Sequence, residues 1–82
     1  MVGVGSVPVA FVLINTEIDA MEKVLKALEN VEGVKEAYSV FGVYDVVVKV
    51  EAASLDRIKN LITYKIRRLD GVKSSLTMIV IE

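Results

Sequence analysis

The sequence predicts an α+β fold of the ferredoxin-like kind. The order is βαββαβ, a split βαβ whose four-stranded antiparallel sheet carries both helices on one face. Three observations lead there. Two stretches of helical period, near 16–31 and 54–69, each follow an apolar strand-like run. Each helix then ends in a similar punctuation, Val31-Glu-Gly-Val34 and Leu69-Asp-Gly-Val72, so that one half of the chain echoes the other. The two most apolar β-branched runs, Val7–Ile14 and Val46–Val50, come first and third among the strands, which are the central positions of such a sheet.

Met1 to Ser6 reads as a lead-in to one domain spanning 7–82. Gly3 and Gly5 lack the Lys-Ser/Thr and the preceding strand of a phosphate loop. The first strand covers Val7–Ile14, with Pro8 near its start, where a missing N–H is tolerated. Its apolar run is continuous, so both faces must be covered, one by helices and the other by another subunit. Thr16 is the expected N-cap of the first helix, with Asp19 at the capping-box position. Asp19/Lys23 and Glu22/Lys26 are spaced as i,i+4 ion pairs. Ile18, Met21, Leu25 and Leu28, with Val24 alongside, form the stripe expected to face the core. Gly33 breaks this helix.

Val34–Phe41 mixes Lys35, Glu36 and Ser39 with apolar residues, as an edge strand does. Phe41-Gly-Val-Tyr-Asp45 then reads as a turn, with Gly42 expected at φ > 0 and Asp45 bonding nearby backbone. The Val46–Val50 strand follows. Ser54 caps the second helix, Asp56 lies in its first turn, and Leu55, Ile58, Leu61, Ile62, Ile66 and Leu69 make its apolar stripe. Asp70-Gly71 stops it, and Val72–Ile81 is the last strand, carrying Ser74, Ser75 and Thr77.

Composition limits the chemistry. In 82 residues there is no Cys, His or Gln, so thiol nucleophiles, imidazole bases and Cys/His metal cages are excluded, and no cofactor or metal is expected. An acylphosphatase-like enzyme on this fold would need an Arg-bearing phosphate loop after the first strand; Asn15-Thr-Glu17 offers none. Hydrophobic residues make up 54% of the chain, and the mean hydropathy is +0.54. A domain this small buries only about 60–65% of the surface its unfolded chain exposes, so assembly into a dimer or larger oligomer is the expected remedy. The sheet face without helices, carrying Phe11 or its neighbours and the Val46–Val50 strand, is the surface to be covered. No apolar run reaches the roughly 20 residues of a membrane span, and the start lacks a signal peptide's basic residues. A cytoplasmic protein without membrane contact is expected.

The turn is the candidate site. Gly42 admits close approach of a ligand to backbone, Asp45 offers a carboxylate to an ammonium group, and Tyr44 offers an apolar face with a polar tip. The alternative is that Asp45 closes the turn and Tyr44 packs at an interface. The basic run of Arg57, Lys59, Lys65, Arg67, Arg68 and Lys73 raises nucleic-acid binding as a possibility. A net charge of −1 and the lack of an aromatic-rich strand argue instead for a solvated helix face, or one meeting the acidic helix of a neighbour.

The order of helix, acidic-Gly-Val, strand, Phe41-Gly-Val-Tyr-Asp45, apolar strand, helix, Leu69-Asp-Gly-Val72 and a strand with Ser75 and Thr77 resembles the effector-binding (RAM) domain of the Lrp/AsnC family. Gly42-Val-Tyr-Asp45 matches that family's Gly-x-aromatic-Asp turn, supported by Gly71-Val72 and the hydroxyls of Ser75 and Thr77. The resemblance implies dimers formed through the sheets, rings built from dimers, and a small-molecule effector, commonly an amino acid, bound between subunits. Gly42, Tyr44, Asp45, Ser75 and Thr77 are the ligand-binding residues it implies. Ser75 stands where many relatives have Thr. Full-length regulators of the family carry a helix-turn-helix ahead of this domain, whereas only a six-residue lead-in precedes the first strand. The chain is therefore similar to stand-alone members, expected to sense and assemble without direct sequence-specific DNA binding. A full-length Lrp/AsnC-type regulator is the partner this implies.

Overall fold

The computed structural model describes residues 7–81. The Met1–Ser6 lead-in lies outside them. Strand β1 spans Val9–Thr16, helix α1 Met21–Glu29, β2 Val34–Ser39, β3 Val46–Glu51, helix α2 Leu55–Leu61, and β4 Val72–Ile79. A single π-helical turn, Ile62–Ile66, continues α2. The sheet order is β2-β3-β1-β4 with all pairs antiparallel. The split βαβ topology is thus as the sequence predicts, with β1 and β3 central and the mixed-polarity β2 at an edge.

Alternation along the central strands decides the two faces. Ala10, Val12 and Ile14 are buried, and so are their β3 partners Val50, Val48 and Val46. These six join Val24 and Leu28 of α1 and Ile58, Ile62 and Ile66 of the second helical segment in one core cluster. Both helices therefore cover the same face. The opposite face presents the rows Tyr38–Val47–Leu13–Leu76 and Glu36–Lys49–Phe11–Met78, running across all four strands.

The repeated Gly-Val punctuation proves to be the same hydrogen-bonded device used twice. Gly33 and Gly71 have φ of +99° and +101°, a region costly for residues with a Cβ. Behind each, a strand residue donates its N–H back to the end of the helix, Val34 to Val31 O and Val72 to Leu69 O, both at 3.2 Å. Each glycine carbonyl then accepts from the other half of the fold: Glu51 N–H donates to Gly33 O and Glu17 N–H to Gly71 O, both at 2.8 Å. Chain reversal and inter-half pairing are thereby solved together.

The first helix differs from its sequence reading. Thr16 is not an N-cap but the last residue of β1, and the helix begins four residues later behind Ala20, which makes no side-chain cap. Asp19 lies outside the helix at φ +64°, a region Asp tolerates better than most residues. The Asp19/Lys23 pair therefore does not form; Lys23 instead reaches Asp70 at 2.6 Å, which holds the Asp70 carboxyl below its ordinary pKa. The buried stripe is Ala20, Val24 and Leu28, with Leu25 half-buried, while Met21 and Ile18 of the expected stripe are exposed, Ile18 at 92%. The helix starts at Met21, so Ile18 precedes it and has no place in its periodicity.

The second helix follows its sequence reading more closely. The Ser54 hydroxyl accepts the Arg57 N–H at 3.2 Å, satisfying one of the free amides of the first turn. Only Leu55 leaves the expected stripe, being exposed. The buried residues Ile58, Ile62 and Ile66 are four apart, a spacing that in an ideal α-helix drifts by about 40° per step. The wider turn closed by Arg67 N–H to Ile62 O, at 2.9 Å, counters this drift and keeps Ile66 in the core.

Candidate functional site

The loop between β2 and β3 is closed by its own backbone and fixed to β1. Val40 N–H donates to Asp45 O, and Asp45 N–H donates to Ile14 O, both at 2.9 Å. The Asp45 carboxylate oxygen Oδ2 accepts the Thr16 backbone N–H at 2.9 Å and the Thr16 hydroxyl at 3.3 Å. Thr16 lies two residues beyond Ile14, where the β1–β3 pairing ends, so its N–H on that side is available to a side chain rather than to a ladder partner. Asp45 thus secures the end of the central strand with one oxygen.

The expected site residues are brought together unevenly. Asp45 and Tyr44 are half-buried at the base of the loop, whereas Phe41 and Val43 stand at 107% and 85% exposure at its tip. Ser75 pairs with Ile14 from the β4 side, so Asp45 and Ser75 flank the same residue of β1. Thr77 pairs with Val12, one row further from the loop. Both hydroxyl residues lie on the helix side of the sheet with Ile14 and Val12, not on the open face.

Gly42 corrects the sequence reading. Its φ lies outside the left-handed region, since the described glycines with positive φ are Gly33 and Gly71. A Cβ built on Gly42 would meet nothing within 4 Å. The loop reverses over five residues of bend rather than through one strained position, so it makes no steric demand for glycine there. Thr16 is the residue that sequence reasoning missed. Its role depends on strand ends 29 positions apart, and no local pattern signals it.

The open sheet face is the other feature at hand. Phe11, Leu13, Val47, Leu76 and Met78 lie on it, interrupted by Lys49, whose ammonium stands 3.6 Å from Glu36 and 3.9 Å from Glu51. The Tyr38 hydroxyl donates to Glu36. That hydrogen bond chiefly, with Lys49 assisting, lowers the Glu36 pKa, and the same contact raises that of Tyr38. The charges of this face are mutually paired within it.

Comparison with known proteins agrees with this architecture. The sequence model described as the Lrp/AsnC ligand binding domain matches residues 9–82. An uncharacterized HTH-type transcriptional regulator of Pyrococcus furiosus, PF0250, is 32% identical over 73 residues, covering 85% of this chain and 49% of the regulator. The regulatory protein AsnC of Escherichia coli is 34% identical over 58 residues, covering 71% of this chain and 38% of that protein. The chain thus spans half or less of the length of these curated relatives. The crystal structure of FFRP-DM1 superposes with a TM-score of 0.87 at 39% identity, covering 90% of this chain and 99% of that one. With the matching sequence model extending from β1 through β4, the chain belongs to the Lrp/AsnC family by way of its ligand-binding domain.

Proposed function

We propose that this chain is a sensing and assembly module of an Lrp/AsnC-type regulatory system, in which copies join through the open sheet face and an amino acid binds between subunits at the 41–45 loop. The observation that carries the proposal is the loop itself. A carboxylate held rigidly by Thr16 lies at the base of a turn whose tip, Phe41 and Val43, stands in solvent. Apolar side chains so exposed on an anchored loop are suited to be covered by a second subunit. In the proposed pocket Asp45 receives the ammonium group and Tyr44 contributes a wall, while Ser75, with Thr77 a row beyond, offers hydroxyls from the helix side of the sheet, beside the loop rather than within the joined open faces. Gly42 contributes an open approach to backbone.

The open sheet face supports the assembly half of the proposal. Stacking two such faces removes Phe11, Leu13, Val47, Leu76 and Met78 from water, and Lys49 enters the contact already neighboured by Glu36 and Glu51. A paired charge costs far less to bury than a lone one. A second reading, a purely structural module without effector, is favoured by the Thr16 contacts, which give Asp45 a sufficient role of its own.

Equilibrium dialysis against the twenty amino acids, with sedimentation equilibrium in parallel, tests both. Saturable binding that Asp45→Asn weakens supports the sensor. Assembly without binding of any of them leaves the structural module, and a folded 9 kDa monomer at micromolar concentration removes the assembly half as well.

A further inference from the structure

We propose that the groove between the C-terminal end of α1 and the outer side of the second helical segment is a separate ligand site, for a small phosphorylated aromatic compound of the nucleoside monophosphate class. The groove measures about 850 Å³, within the roughly 300–1,000 Å³ typical of small-molecule sites. Leu61 and Leu69 give it an apolar floor, and Leu61 is seated directly over Gly33. No lining residue belongs to the 41–45 loop or to β4, so the site is independent of the amino-acid pocket proposed above.

Charge and shape select the ligand class. Arg57, Lys65 and Arg68 line the groove against a single carboxylate, Glu32. Among the described residues none of these three cations is engaged in an ion pair. An amino acid, with no net charge, leaves that excess uncompensated, whereas a phosphate monoester carries about −1.5 to −2 and three acceptor oxygens. Arginine forks suit those oxygens. The aromatic half of the ligand is met by Tyr64, whose exposed ring lies 5.3 Å from the Arg68 guanidinium carbon. Ring and guanidinium both offer flat surfaces on which a nucleobase stacks. Asn30 and Asn60 add amide groups at the rim, suited to the polar edge of a base. The π-turn helps to set this arrangement, because it lies between Leu61 and Arg67 and so fixes how Tyr64 and Lys65 project while Ile62 and Ile66 stay buried.

The test is a ¹H–¹⁵N NMR titration of the chain with adenosine 5′-monophosphate, alongside adenosine, inorganic phosphate and leucine. Saturable shifts clustered at Asn30, Asn60, Tyr64 and Arg68 are expected with the nucleotide, at an affinity about tenfold or more above that for adenosine or phosphate alone. Removing Arg57 and Lys65 together, as Arg57→Ala with Lys65→Ala, should weaken binding about tenfold or more, and so should Tyr64→Ala. All three positions are exposed, so the variants are expected to keep the wild-type circular dichroism. Shifts that are absent, that map elsewhere, or that phosphate alone produces equally well overturn the proposal. So does a Lys65→Glu variant that alters sedimentation when no nucleotide binds to the wild type, because the groove is then a contact between copies.

Discussion

Three glycines that look alike in the sequence should respond differently to the same substitution. At Gly71 the φ of +101° strains any L-residue, and an added Cβ would lie 2.9 Å from Ala20 Cβ and 3.0 Å from Val24 Cγ2. Neither neighbour yields easily: one is a methyl fixed to backbone and the other a fully buried β-branched side chain. The left-handed conformation costs about 1–2 kcal/mol. Overpacking adds about 1–3 kcal/mol. Reduced freedom of the unfolded chain returns about 0.4–1 kcal/mol. Gly71→Ala should therefore destabilise by about 3 kcal/mol, against a total of roughly 4–12 kcal/mol for a domain of this length. Gly33→Ala has the same conformational cost; its 2.8 Å contact, Leu61 Cδ2, is the end of a side chain that can turn away, but its next, at 3.1 Å, is the backbone oxygen of Glu51, which is held in β3. It should therefore cost about 2–3 kcal/mol, no more than Gly71→Ala. Gly42→Ala meets nothing and carries no positive φ, so it should be neutral or stabilising by about 0.4–1 kcal/mol. Urea unfolding at one fixed protomer concentration measures all three, since association would otherwise shift the apparent stability. If Gly42→Ala proves the most damaging of the series, or if all three fall together, the backbone assignment of the loop is refuted.

Further outcomes follow from the first helix, the loop and the Lys23–Asp70 pair. Leu28→Ala should cost about 2–5 kcal/mol and Ile18→Ala no more than about 0.5 kcal/mol, read by the same denaturation; comparable losses would restore Ile18 to the core. Asp45→Ala removes both acceptor contacts to Thr16 and should destabilise by about 1–3 kcal/mol. Asp45→Asn keeps an acceptor for the Thr16 N–H and should stay within about 1 kcal/mol of wild type in stability, while calorimetry should find an ammonium-bearing ligand bound about 1.5–3 kcal/mol more weakly. The Asp70 carboxyl should titrate by NMR below an ordinary aspartate, and Lys23→Met should return it toward the usual value. Because its folded pKa is depressed, whatever stability the pair contributes is present above the unfolded pKa and is lost as pH falls through the folded one. An Asp70 titration unmoved by Lys23→Met would dissociate the two.

The chain by itself determined the order of elements, the places of β1 and β3 at the centre, the edge position of β2 and the glycine after each helix. These are written in short-range terms: β-branched runs, helical periodicity and breaking residues act within a few positions of themselves. The family was legible for the same reason, since its pattern follows the elements in order. Tertiary structure alone decided where α1 begins, because Thr16 and Asp19 serve a strand end and a turn, although their spacing before the apolar stripe is also that of a cap. It decided the partner of Lys23 as well, choosing Asp70 across the fold over Asp19 in the same segment. Asp45 is the clearest case. Its neighbours in the sequence mark a turn, but its carboxylate is engaged by Thr16 only after β1 and β3 have paired, and the strain expected at Gly42 is unnecessary once that anchor and the Val40–Asp45 bond close the loop. The open groove beside Tyr64 likewise exists only when residues 30–32, just past α1, are brought against the second helical segment, because no stretch of sequence contains both of its walls.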